Sequence, residues 1–133
     1  MYPSSEKPLK EDEFDRNVEI NPNYFGVGWT KVYIENMCEF YSRLGRTRHT
    51  VLRNSNIYGP HDSFNIDFSN VTPALIYKFI LADESDSAVN VWGTGQAIRD
   101  FSYSEDIAKA LYISMNKLLG PINIGSGHIH KIE

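Results

Sequence analysis

Lys31, Lys78 and Arg99 are cations of a type that can meet a small anion, and Asn54-Ser55-Asn56 is a polar run in a β-prone segment. Small anions need only two or three local cations, so a formal net charge of −4 does not exclude them. It does argue against nucleic acid as a partner, because no basic patch is available to neutralise successive phosphates. Polar residues beyond the carboxyl end of a parallel strand stand where α/β proteins gather ligands. The plainer readings are solvated helix lysines, a polar turn before Gly59-Pro60, and a core role for Trp92. No metal site is expected, since His49, His61, His128 and His130 are scattered and the last two lie near a fraying end. Asp83, Glu84 and Asp86 read as a solvated linker. A serine hydrolase would need a nucleophile elbow, which is absent. The single cysteine, Cys38, falls between Met37 and Phe40 in a helical pattern and is expected to pack rather than react.

The elements that must position these residues follow from periodicity. Residues 1–23 are rich in proline, serine and acids, which predicts a surface loop. From Gly26 to about Leu44, Val27, Val32, Ile34, Met37, Cys38, Phe40, Tyr41 and Leu44 recur at helical spacing, and Gly45 is a natural stop. His49 to Pro60 reads as a strand ending in a turn. After a polar and aromatic loop over 61–70, a helix is expected from Val71 to about Ala82, with Pro73 tolerated in its first turn. Val89-Asn90-Val91-Trp92 predicts a short strand, turned by Gly93-Thr94-Gly95 toward Arg99-Asp100-Phe101-Ser102-Tyr103. Ser104 reads as the cap of a helix to about Leu118 that buries Ile107, Ala108, Leu111, Tyr112 and Met115. Helices alternating with short strands imply an α/β class.

The 133 residues, 41% hydrophobic and 13% aromatic, amount to one domain or part of one. No apolar run reaches the length of a membrane span and the N-terminus lacks a signal-peptide pattern, so a cytoplasmic setting is expected. Both ends read as cut. Met1-Tyr2-Pro3 begins without an element pattern, and the chain stops soon after a strand and turn over 121–127, which suggests an excised or truncated segment.

Four stretches, in order and covering nearly all of the chain, carry a family resemblance: Gly28-Trp29-Thr30-Lys31; Leu52-Arg53-Asn54-Ser55-Asn56-Ile57-Tyr58-Gly59-Pro60; Val91-Trp92-Gly93-Thr94-Gly95 with Arg99-Asp100-Phe101; and Ile122-Asn123-Ile124-Gly125-Ser126-Gly127. Together they resemble the extended short-chain dehydrogenase/reductase family, the NAD(P)-dependent sugar-nucleotide epimerases, dehydratases and reductases. Tyr58 to Phe64, Val71 to Leu75 and Trp92 are most similar to its GDP-L-fucose synthase branch. The resemblance implies a partial Rossmann-like α/β fold, the central to C-terminal portion of such an enzyme. Residues 1–25 would be a loop, 26–60 the lysine-bearing helix and following strand, and 61–133 the sugar-nucleotide-binding portion.

On this resemblance Lys31 would hydrogen-bond the nicotinamide ribose and lower the pKa of a catalytic phenol. Asn54, Ser55, Asn56 and Ile57 would lie along the nicotinamide of NADP, with NAD as the alternative. Arg99 and Lys78 would pair with the diphosphate of a GDP-sugar, and Trp92, Val71 and Leu75 would form the slot for its base. Asn70 falls where the branch has a histidine that acts as an acid in epimerisation; an amide can orient a substrate there but cannot titrate near neutral pH. The family tyrosine, four residues before the lysine, is Val27 here, and Tyr24 stands three residues too early to replace it. The glycine-rich loop that cradles a dinucleotide is absent, and Gly93-Thr94-Gly95, expected between two short strands, opens no helix. The family's serine or threonine and its epimerisation cysteine would stand upstream of Met1. The chain alone is therefore expected to bind NADP(H) poorly and to be inactive, although its parent is an enzyme. The helix over 26–44 implies a homodimer. A non-catalytic sugar-nucleotide-binding or dimerisation remnant is the alternative, favoured by Val27, while Lys31 and Arg99 favour an enzyme-derived pocket. A substituted residue 27 in an ordinary enzyme is the third reading.

Overall fold

A computed structural model gives the fold and describes residues 2, 5, 7–91, 93–117 and 120–131. Residues 1–53 and 110–124 form one compact unit, and residues 54–109 and 125–133 form a second.

In the first unit, α1 (Phe25–Arg43) follows a 3₁₀ turn, Pro22–Tyr24, whose cap is Asn21: its side-chain oxygen accepts from the Asn23 amide at 3.0 Å. The helix ends where Gly45 takes a left-handed φ of 71°. Gly28, Val32 and Glu35 are its buried residues, one stripe at helical spacing. Gly28 is there because the entering chain crosses it closely. A Cβ at this position would lie 2.5 Å from Ile20 Cγ2, and Ile20 is itself buried. The segment expected to be a free loop thus carries two 3₁₀ turns, Glu11–Glu13 and Pro22–Tyr24, and is tied down by polar contacts that periodicity does not register. Asn123 donates its amide to Glu11 Oε1 at 2.8 Å and its side-chain nitrogen to the Leu9 carbonyl at 3.0 Å, and it accepts from the Tyr2 hydroxyl at 2.7 Å. The Asn123 amide holds the Glu11 carboxyl below the usual range. Asn123 belongs to β4 (Gly120–Ile124), which pairs with β1 (Thr50–Asn54) in a two-stranded sheet.

Arg53 at the end of β1 makes the unit's buried ion pair. Its Nε and Nη2 donate to the two carboxylate oxygens of Glu35, each at 2.9 Å, with side chains only 7% and 4% exposed. Nη1 donates to the Tyr2 hydroxyl and the Glu11 carbonyl, and the guanidinium carbon stands 4.5 Å from the centre of the Phe14 ring.

The second unit is built on a strand–helix–strand crossover. β2 (Asn56–Tyr58) leads through α2 (Val71–Ser85) to β3 (Ile98–Tyr103), and β2 pairs parallel to β3 with Ile57 opposite Ser102. β5 (Ile129–Lys131) joins the other edge of β3 antiparallel, with Arg99 opposite His130. α3 (Ser104–Lys117) starts in the second unit and ends in the first.

Several expectations are corrected. The segment read as one strand breaks at Ser55, and its halves β1 and β2 belong to different sheets. No strand forms over 89–91, where the chain is held by a side chain instead: Lys78 Nζ donates to the Asn90 carbonyl at 2.8 Å. Asp83 and Glu84 are not linker but the last turn of α2, and Asp86 closes it with a left-handed φ of 50°. The Ser87 amide then bonds the Ala82 carbonyl at 3.0 Å, a Schellman closure. α3 buries Ile107 and Ser114, while Leu111, Tyr112 and Met115 are 49%, 72% and 76% exposed and Ala108 is exposed too. Periodicity marks an apolar face without supplying what covers it, and sheets of two and three strands leave much of this one bare.

Candidate functional site

A cavity of about 520 Å³ opens in the second unit. One of its walls is a single stripe of α2. Val71, Ala74, Leu75 and Lys78 fall at i, i+3, i+4 and i+7, which brings them onto one helix face. The opposing walls are Ile66 and Ser69 from the loop before the helix and Val91, Gly93, Thr94, Gly95 and Ala97 from the segment leading to β3. The turn Gly93-Thr94-Gly95 needs both glycines, whose φ values are 86° and 72°. The lining is mainly apolar, with Ser69, Thr94 and Lys78 as its polar residues. That is the constitution of a site for a flat, partly apolar ligand carrying an anion.

A second concavity of about 430 Å³ shares Val71 and Leu75 with the first and is otherwise lined by residues that include Tyr58, Phe79, Phe101 and His130. Three of the five residues expected to hold the sugar nucleotide, Val71, Leu75 and Lys78, therefore line one cavity. Trp92, the fourth, lies outside the described residues. Arg99, the fifth, is exposed on β3, does not line the cavity, and donates from Nη1 to its own neighbour, the Ile98 carbonyl, at 2.9 Å. Asn70 is exposed at the start of α2; its carbonyl accepts from the Ala74 amide at 3.1 Å, and its side chain makes no capping bond.

The residues expected along the nicotinamide divide. Ser55 and Asn56 are engaged with β3: the Ser55 and Ser102 hydroxyls lie 2.7 Å apart, and Asn56 Nδ2 donates to the Asp100 carbonyl at 3.0 Å. Asn54 and Ile57 are exposed. Lys31 belongs to the first unit, exposed on α1 one turn after Val27, which is 60% exposed. Among the described residues Lys31 makes no ion pair.

Sequence reasoning missed Asp100 as an organiser. Its carboxylate accepts from the Ser126 amide at 2.9 Å and the Gly127 amide at 3.0 Å. Partial burial pushes this carboxyl upward, and hydrogen bonds from the Ser126 amide, the Ser55 hydroxyl and the Gly127 amide outweigh it, so the group sits below the ordinary aspartate value. Gly125 is needed beside it, because a Cβ there would come within 2.9 Å of Asp100 Oδ2. The signal available was the pairing of Arg99-Asp100-Phe101 with a Gly-Ser-Gly turn.

The profile of the NAD dependent epimerase/dehydratase family matches residues 1–125. The chain belongs to that family. GDP-L-colitose synthase of Yersinia pseudotuberculosis is 31% identical over 99% of this chain and 44% of its own length. GDP-L-fucose synthase of Sinorhizobium fredii is 37% identical over 96% of this chain and 41% of its own length. Among solved structures, a GDP-L-fucose synthetase from Naegleria fowleri bound to NADP superposes with a TM-score of 0.79 at 25% identity, covering 94% of this chain and 42% of that one. The chain thus spans less than half the length of these relatives, and its fold is the Rossmann-like α/β fold of this epimerase/dehydratase family in part.

Proposed function

We propose that this chain is the sugar-nucleotide portion of an NADP-dependent epimerase/reductase acting on a GDP-4-keto-6-deoxyhexose, and that the cavity over α2 takes the nucleoside diphosphate. The observation that carries this reading is the stripe Val71, Ala74, Leu75 and Lys78, which sets an apolar wall and a cation in one cavity. The names of the colitose and fucose synthases, both GDP-sugar enzymes, support it.

In this reading Val71 and Leu75 pack against the base, Trp92 adds a stacking face, and Lys78 meets the diphosphate. Arg99 contributes a second cation by leaving the Ile98 carbonyl. Asn70 orients the sugar. NADP, which the Naegleria relative binds, supplies hydride chemistry when bound. Lys31 in the first unit and Asn54 in the second are each exposed and assigned to the cofactor by motif alone, whereas Ser55 and Asn56 offer mainly backbone because their side chains are engaged with β3. NAD is the alternative cofactor. Val27 can neither hold nor move a proton, so the chain by itself is a binding rather than a turnover unit. A homodimer in a reducing cytoplasm, consistent with the unpaired Cys38, completes the reading.

Calorimetric titration of the chain with GDP tests it. GDP is expected to bind, UDP more weakly, and Lys78→Met to lower GDP affinity by about 10-fold or more, the worth of a charge-assisted hydrogen bond. No heat with GDP at millimolar concentration, or equal binding by Lys78→Met, overturns the pocket assignment.

A further inference from the structure

The Lys78 ammonium, on the half-buried cavity face of α2, donates to the Asn90 carbonyl at 2.8 Å. Asn90 lies between the end of α2 and the start of β3 at Ile98, in the stretch that supplies Val91, Gly93, Thr94, Gly95 and Ala97 to the cavity. One side chain thus reaches from one wall to the facing one. Among the described residues this is the hydrogen bond that ties positions 88–97 to another element, and no strand pairing reinforces it, because the ladder of β3 with β5 begins only at Ile98. The stretch starts at the left-handed turn of Asp86 and runs out through Gly93 and Gly95, whose missing side chains let the backbone change path at small cost.

Resting on the reading that Lys78 meets the diphosphate, we propose that residues 87–97 form a strap tied across the cavity by Lys78, and that an incoming diphosphate takes the ammonium from the Asn90 carbonyl and so releases the strap. An anionic oxygen is the better acceptor, since a hydrogen bond between two charged groups is roughly twice as strong as one between neutral groups. Asn90 is exposed, so water takes the lysine's place at its carbonyl. The ligand shifts the balance by the difference in its affinity for the two forms. In the tied form the cation is committed to the wall. In the untied form it is turned to the anion, and Val91 with its neighbours is free to close on what the ammonium has captured. Lys78 then carries the arrival of the phosphates to the opposite wall of the cavity.

The test is NMR of the full chain, isotope-labelled at Asn carbonyl carbons and Val nitrogens, a scheme that selects the three Asn–Val peptide bonds at 17–18, 70–71 and 90–91. A hydrogen-bonded carbonyl carbon resonates downfield, so untying moves the Asn90 signal upfield. Lys78→Met without ligand supplies the untied position, and its Asn70 signal, from a carbonyl that accepts the Ala74 amide, reports whether α2 is intact. GDP is expected to move the parent's Asn90 signal upfield, more than half of the way to the Lys78→Met position and in step with calorimetric saturation. UDP at saturation is expected to reach the same end point, although its ring perturbs neighbouring signals far less. A stationary or downfield-moving Asn90 signal with GDP bound overturns the strap and leaves the pocket reading standing, as does movement with GDP alone. An Asn90 signal unchanged in an intact Lys78→Met overturns the tie itself. Where the Asn70 signal shows that variant misfolded, the direction of movement in the parent decides, and failure of the parent to bind GDP removes both readings.

Discussion

Glu35 and Arg53 keep their side chains 4% and 7% exposed, and each needs the other to be tolerated there. Removing one partner leaves a desolvated charge, so Glu35→Ala is expected to cost about 3 kcal/mol or more in urea unfolding. The exposed pair of Glu39 and Arg43 is the control: Arg43→Ala should change stability by less than about 0.5 kcal/mol, although Arg16 and Arg43 both hold the Glu39 carboxyl low. Asp100 adds a pH dependence. Its folded value lies below its unfolded one, so its contribution is complete at neutral pH and is lost as acid carries the protein through the folded value. Asp100→Asn should lower the neutral urea midpoint, by about 1 kcal/mol, and flatten the decline in stability below about pH 4. The place of Lys78 on α2 was legible from the apolar period around it. The Glu35–Arg53 pair was not, because its members are 18 residues apart on a helix and a strand, and no local pattern announces which strand residue will meet which helix.

α1 was legible nearly to the residue, because it carries both an apolar period and a stop signal, whereas α2 runs on past the expected end at Ala82 to Ser85. Short strands were harder. Residues 49–60 look like one β run, yet a single residue, Ser55, separates strands of different sheets. Val89-Asn90-Val91 has strand composition, but its fixing bond comes from Lys78 rather than from a neighbouring strand. The C-terminus of α2 offers a clean test at this scale. Asp86 adopts the left-handed conformation that favours glycine. Asp86→Gly should therefore raise stability by about 0.5–1 kcal/mol, read as an increase in thermal midpoint without change in GDP affinity.

Taken whole, the chain leaves many large apolar side chains in water: Phe25, Tyr33, Phe40, Phe79, Tyr112 and Met115 are each more than half exposed. Large apolar side chains exposed in this number can mark surfaces that are covered in use, and this chain spans 41–44% of the length of relatives such as the Sinorhizobium fucose synthase and the Yersinia colitose synthase. Light scattering after size exclusion should show an average mass that rises with concentration, together with binding of a hydrophobic dye. A constant monomer mass up to about 100 μM, with no dye response, would mean that these faces are individually too small to associate. None of this exposure was legible from periodicity, which locates apolar faces on α1, α2 and α3 but is silent about their neighbours.

The Asp100 carboxylate seated on the Ser126 and Gly127 amides can also be viewed as a receptor with its guest already attached. Two adjacent backbone N–H groups form a concavity suited to an oxyanion, and here the oxyanion is tethered by the chain itself. Tethering gives it an effective concentration in about the millimolar range or above, beyond what an assay buffer's phosphate or sulfate readily displaces from so small a contact. Such anions leave this turn untouched. Only the proton, by discharging the guest in place, opens it.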